Sequence, residues 1–295
     1  MMLQNFFRKF IFDSNGEIIY ETKVLTFWIL GIIASVIFGV LLSIPFSFVS
    51  GGFWKGIAIN QGITIGFILA SFFSWFYFSK SREFNLNLGL ENRKWMKVIP
   101  GFLLGCSILS LFSLTGFGLG FFQFSFKEVS FDQLGIFLFQ SASVFIFFTF
   151  SAINEELIFR GFPLQVNLNV HNLWYRVIFL STIFSVLHAL NANITWLGFV
   201  NIFLAGIWLS FGAVSENTIW YSFGLHLGWN FTQTSIFNFP VSGENFFPEV
   251  FLIHVDVSNS VTDLLTGGKF GPEGSFLATI SILIAIFYER SKIKW

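Results

Sequence analysis

Eight apolar runs alternate with polar segments along the chain. Measured against the ~20 residues that a spanning helix needs, they cover 24–49, 57–79, 98–120, a long run from 134 through Asn154–Arg160, then 177–190, 194–214, 217–237 and 275–288. The fifth and the eighth are short for a full crossing. The connecting segments are brief except 238–274, which carries Gly, Pro and acids and the punctuated stretch Thr266-Gly-Gly-Lys-Phe-Gly-Pro-Glu273. The pattern predicts an all-α, polytopic membrane helix bundle of about eight transmembrane helices. Residues 1–23 read as a mixed-charge cytosolic or interfacial segment and 24–295 as an integral membrane domain, with no internal repeat. Gly116–Gly120 has neither the strand nor the Lys of a phosphate-binding loop, so it is expected to end a helix.

Composition agrees with a membrane solvent. The chain is 54% hydrophobic, 21% aromatic and 11% charged, with 46 Phe and a mean hydropathy of +0.73; a soluble domain carries about 25% charged residues. A net charge of +0 argues against nucleic acid as a partner. The single cysteine, Cys106, lies in an apolar run; it excludes a disulfide framework within the chain and is expected to be a packing residue. The first apolar run is too long for a secretory signal peptide and no small-residue cleavage site follows it.

Charge then orients the bundle. With the N-terminus inside, only Lys55, Lys127 and Lys269 of the 16 Lys and Arg fall in outer segments; Arg160 aside, all the others fall in inner ones. That asymmetry follows the positive-inside rule for eight crossings and places both termini in the cytosol.

Three places put ionisable or imidazole groups inside apolar runs, where such groups are costly and mark function. Glu155, Glu156 and Arg160 close the fourth run, His188 sits in the fifth, and His226 with Asn230 in the seventh. Glu156 and Arg160 are four residues apart and share a helix face, as do Phe184 with His188 and His226 with Asn230. Glu155 lies ~100° round the helix from Glu156, so the two carboxylates point in different directions. At ~1.5 Å per residue, His188 is roughly 18 Å from Arg176 and His226 roughly 15 Å from Glu216, both near the middle of a ~30 Å hydrocarbon layer. For Glu155 to meet them, the fourth helix must continue past Arg160 towards Pro163 or Val166. Arg160 would then be inside the membrane and paired with Glu156.

These groups support two kinds of hydrolysis. A carboxylate and an imidazole around one water can act as a general base, while a second imidazole and an amide donate to a developing oxyanion. Alternatively Glu155, His188 and His226 hold a divalent metal, typically zinc, with the other Glu as base. Taken singly, a membrane His is more often a helix–helix hydrogen-bonding residue, and a Glu-Glu pair more often a helix terminus. Asn154 either supports the glutamates or packs its helix, and His171 and His254 read as ordinary loop residues. The conjunction in separate runs is what favours a site. There is no His-Glu-x-x-His signature, and Asp13, Asp132, Asp256 and Asp263 all fall outside the runs, which excludes an aspartyl dyad.

Glu155-Glu156…Arg160, Phe184…His188 and His226…Asn230, in this order, resemble the motifs of the CPBP intramembrane proteases. These comprise the type II CAAX prenyl endopeptidases and the bacteriocin-processing and immunity proteins. The resemblance spans about 134–237. It implies that Glu155 is the general base on water, assisted by His188, that His226 and Asn230 form the oxyanion hole, and that Glu156 and Arg160 orient the first group. It also implies a membrane-associated or prenylated peptide or protein substrate and a location in the bacterial plasma (inner) membrane. Both a zinc-dependent and a metal-free glutamate mechanism go with the family, and the metal-free one is favoured here. Two other readings use the same residues. One is a non-catalytic binding or immunity protein with the same polar cavity. The other is a proton-coupled transporter, for which paired repeats and broken helices would be expected.

Overall fold

Helix forms in all eight apolar runs. The computed structural model describes residues 11–13, 16–46, 53–78, 91–166, 172–245, 251–257 and 263–293. His171, Arg8, Lys9, Lys80, Arg82, Lys294 and much of the 1–23 segment lie outside the described residues. In chain order the helices are α1 (Tyr20–Ser43), α2 (Phe53–Phe78), α3 (Val98–Gly118), α4 (Phe131–Phe159), α5 (Phe162–Gln165), α6 (Leu173–His188), α7 (Trp196–Ser215), α8 (Ile219–Phe231), α9 (Asp263–Thr266) and α10 (Phe276–Lys292). Among the described residues, four stretches are long and apolar enough to cross a membrane: Tyr20–Ser43, Arg93–Gly118, Phe131–Gln165 and Trp196–Ser215. Gln61–Ser74 and Leu173–His188 are shorter apolar helices. The chain is a mostly helical integral membrane protein.

The all-α expectation needs one amendment. Strands β1 (Phe122–Phe126) and β2 (Ile253–Val257) pair antiparallel, with Phe122 opposite Val257 and Phe126 opposite Ile253. Both alternate, Phe-Gln-Phe-Ser-Phe and Ile-His-Val-Asp-Val, and this period of two turns one side towards the protein. Phe122 is buried against Phe112 and Phe239, with ring centroids 5.7 and 5.4 Å away. His254, expected in a loop, lies in β2 and meets Asn238 at 2.9 Å and Asp256 at 3.2 Å.

The chain divides into two compact units: Met1–Asn87 with Ile153–Asn169, and Leu88–Ala152 with Val170–Trp295. In the first, α1 and α2 run antiparallel along a seam of small residues. A Cβ on Gly62 would fall 2.3 Å from the Gly39 Cα, one on Gly66 2.4 Å from the Ser35 nitrogen, and one on Gly31 within 2.4 Å of the Phe67 ring. With lipid no more polar than Leu, helices associate by such close backbone approach.

The second unit uses the same device more severely. A Cβ on Gly101 would fall 2.2 Å from Tyr221 O, on Gly105 2.3 Å from Leu225 O, on Gly224 2.3 Å from Val98 O and on Gly228 2.2 Å from Phe102 O. Two Gly-x-x-x-Gly pairs therefore interlock, and because both numberings ascend together α3 and α8 are parallel. Cys106 is a packing residue on this seam, its Sγ 3.6 Å from Gly228 O. Thr195, Thr218 and Ser275 cap α7, α8 and α10, each side chain accepting from a first-turn backbone N–H. Asn201 of α7 donates to Ser275 O at the start of α10, and Ser215 donates to Glu289 near its end, so α7 and α10 are also parallel. Lys97, Glu216, Glu289 and Lys292 gather at one end of this unit, with Lys97–Glu216 at 2.8 Å and Lys292–Glu289 at 3.1 Å. At the opposite end stand the close of α6 and the turns at 240–244 and 267–275.

Candidate functional site

The candidate acidic residues belong to the first unit. Glu156 and Arg160 are 0% and 1% exposed and form an ion pair, Arg160 Nη1 to Glu156 Oε1 at 3.2 Å, on the face their spacing predicts. Glu155, next in the chain, is partly exposed. Asn154 is buried and accepts from the Thr64 hydroxyl at 2.5 Å, which ties the acidic turn to α2.

The fourth helix does continue past Arg160, but through a break. Pro163 has no N–H for the Phe159 carbonyl, and its fixed φ suits the first turn of a new helix. α4 therefore ends at Phe159, Gly161 takes ψ −120°, and α5 adds one further turn. The carbonyls around the break are met by side chains. Trp28 Nε1 donates to Ile158 O at 2.9 Å, Gln165 Nε2 to Arg160 O at 2.8 Å, and Tyr20 OH to Pro163 O at 2.9 Å. A helix break at membrane depth is tolerated where neighbours satisfy the backbone in this way. Phe162 then stacks on Phe27 at 5.3 Å, and Trp28 meets Phe159 at 6.2 Å. Sequence reasoning missed Trp28, Tyr20 and Gln165; the available signal was Gly161 and Pro163 inside an apolar run.

The candidate imidazole and amide residues belong to the second unit. His188 Nδ1 lies 2.8 Å from Phe184 O, and a carbonyl only accepts, so Nδ1 carries the proton and the lone pair of the neutral ring is on Nε2. The Phe184 and His188 rings also meet, centroids 4.4 Å apart. Phe-x-x-x-His is thus a tautomer-setting spacing. His226 and Asn230 are each 9% exposed on α8, which the glycine seam holds against α3. Trp208 braces the same helix from α7, its ring 6.0 Å from that of Trp229. Beyond Phe231, α8 widens into a π-helical turn over Thr232–Ile236.

Arg176, used as the marker of the inner surface, is a buried residue inside α6, which begins at Leu173. His188 is the last residue of its helix, whereas His226 is in the middle of α8. Glu155, His188 and His226 draw on both units. Within either unit, among the described residues, no three His, Cys, Asp or Glu form a group that could hold a metal ion.

No curated protein and no solved structure matches the chain. Residues 137–232, about a third of the length, match a family model, Rce1-like, described as type II CAAX prenyl endopeptidase Rce1-like. The matched stretch contains both glutamates, Arg160, His188, His226 and Asn230. The family read from the motif residues is thereby borne out: over 137–232 this chain is similar to the type II CAAX prenyl endopeptidases.

Proposed function

We propose that the chain is an intramembrane endopeptidase of CAAX-protease type, hydrolysing a peptide bond of a membrane-associated or prenylated substrate by general-base activation of water. The observation that carries this reading is the difference between adjacent glutamates. Glu156 is buried in its pair with Arg160, while Glu155 points ~100° away and keeps partial exposure. In this reading Glu155, assisted by His188, takes a proton from water as the water oxygen bonds to the scissile carbonyl carbon. The carbonyl oxygen becomes an oxyanion and accepts hydrogen bonds from His226 and Asn230. The C–N bond then breaks and the proton passes from Glu155 to the leaving amine. A positioned base is worth roughly 10²–10⁴ in rate and an oxyanion donor roughly 10²–10³.

The proposed setting is the bacterial plasma membrane, with eight crossings and both termini cytosolic. In support, α3 with α8 and α7 with α10 are parallel pairs, as the third with the seventh and the sixth with the eighth of eight alternating crossings should be. Lys94, Lys97, Arg290 and Lys292 also stand where those crossings would meet the cytosol. The break at Gly161 is a feature that a transporter would share, but the chain lacks the internal repeat that accompanies it there.

The test is cleavage of a farnesylated CAAX-type peptide by purified protein in lipid nanodiscs, with the unprenylated peptide as control. The wild type should cut, Glu155→Gln and His226→Ala should each lose at least a hundredfold, and a chelator should change nothing. Retained cleavage in Glu155→Gln would remove the mechanism. A wild type inert across a panel of membrane peptides would favour a binding protein, and loss with chelator would restore the metal.

A further inference from the structure

The segment 238–274 brings one carboxyl into the second unit that the proposed mechanism does not use. Glu273, between α9 and α10, is 6% exposed. Its Oε2 accepts from Gln233 Nε2 at 2.8 Å, and its carboxylate accepts a second hydrogen bond from the Trp229 indole. The Ser242 hydroxyl is 3.5 Å from Oε1. Gln233 Nε2 also donates to Pro240 O, so this amide is clamped between the carboxylate and the turn at 240–244.

Trp229 and Gln233 flank Asn230 in sequence, and with His226 they fall at i, i+3, i+4 and i+7 along one face of the helix. They also flank the point where α8 changes from α to π hydrogen bonding. A π turn is rare and has to be held by its surroundings. We propose that Glu273 is a positioning residue for His226 and Asn230: by gripping Trp229 and Gln233 on either side of the α-to-π junction, it fixes the register in which the two side chains are presented. The proposal rests on the reading of that pair as oxyanion donors.

The carboxyl is itself firmly placed. Asn201 Nδ2 donates to Glu273 O at 2.7 Å and to Ser275 O at 2.9 Å, and Thr279 donates to Asn201 Oδ1 at 2.7 Å. Gly243 N donates to Phe270 O at 2.8 Å. Gly271, at φ +97°, lies where a Cβ would be 2.1 Å from Pro240 O, so the two turns key into each other. The titratable or charged groups on the surrounding segments are Asp263 of α9, Lys269, Glu244, His226 along α8 and His188 at the close of α6. The charged groups of α7 and α10 are at their far ends. None of these forms an ion pair with Glu273 among the described residues. Burial pushes its carboxyl up to about 7.

Hydrogen exchange on the full chain in nanodiscs tests this without needing a substrate. Replacing Glu273 by Ala should speed exchange of the amides of 229–239 about tenfold, the factor for roughly one buried hydrogen bond, and leave α1 and α2 unchanged. Glu273→Gln keeps an acceptor for Trp229, so it should exchange like the wild type at pH 6. It should also lack the additional loosening of 229–239 that the wild type shows, after correction for intrinsic rates, between pH 6 and 8. Wild-type exchange in the Ala variant, a uniform increase over the whole chain, or an unaltered pH dependence in the Gln variant would each overturn the proposal. Where the wild type cleaves the peptide, the Ala variant should lower kcat more than it raises KM. If the wild type does not cleave, the protease reading fails while the exchange result still judges the grip.

Discussion

Arg160 Nη1 stands 3.2 Å from Glu156 Oε1 with both side chains shut off from solvent, Glu156 in the last turn of α4 and Arg160 just past its end. Removing one member of a buried pair leaves a bare charge and costs about 3–5 kcal/mol, whereas replacing both by apolar groups is close to neutral. Arg160→Met and Glu156→Leu should each lower the unfolding midpoint in nanodiscs, and the double variant should recover more than half of the loss. A double variant no more stable than the worse single would mean that the pair is not the unit of stability.

The break itself depends on borrowed hydrogen bonds. Trp28→Phe keeps the aromatic packing but withdraws the N–H from Ile158 O, leaving a half-buried carbonyl short of a donor at about 1 kcal/mol. Exchange at 160–166 should accelerate in this variant while that of α10 stays as it is. Equal protection in both proteins would show that another donor takes over.

The α3–α8 seam has no room for a methyl group. Gly228→Ala and Gly101→Ala should each destabilise by about 1–3 kcal/mol through overpacking, since each new Cβ would sit 2.2 Å from a backbone oxygen of the opposite helix. Gly135→Ala is the control, with nothing within 4 Å of its Cβ; lower backbone entropy in the unfolded chain should make it neutral or stabilising by about 0.5–1 kcal/mol. The unfolding midpoints of the three variants decide the matter.

Glu273 gives the molecule a pH dependence whose sign follows from its burial. The folded carboxyl titrates at about 7 against an ordinary 4.5, so the folded chain holds the proton more tightly. Its contribution is complete below 4.5, declines as pH rises from 4.5 to about 7, and is constant above; at ~1.4 kcal/mol per unit the fall is about 3 kcal/mol. Unfolding midpoints measured from pH 4.5 to 8 should show this slope in the wild type and lack it in Glu273→Gln. Parallel curves for the two would refute the assignment.

What the sequence made legible was whatever lipid enforces locally. Apolar length located the eight longer helices, and i,i+4 spacing gave the Glu156–Arg160 and Phe184–His188 contacts. Gly116–Gly120 does end a helix, with Gly120 at φ +74°. The β1–β2 pair was missed although both strands alternate, because its partners are more than a hundred residues apart and each sits in a segment read only as a loop. The two Gly-x-x-x-Gly pairs were equally plain in the sequence, yet only the fold shows that they face each other. Glu273 could not have been found: Gly-Pro-Glu-Gly has the composition of an exposed turn, and its burial arises from segments at 201, 233 and 242.

The glycine seam also has an evolutionary reading. Every amino acid reachable from a glycine codon by one base change carries a Cβ, so Gly101, Gly105, Gly224 and Gly228 have no neutral neighbours in mutational space. A saturation mutagenesis map of this protein should show them as four blank columns four residues apart, two by two. The side chains at 226 and 230 are then free to change only on a helix whose own placement cannot.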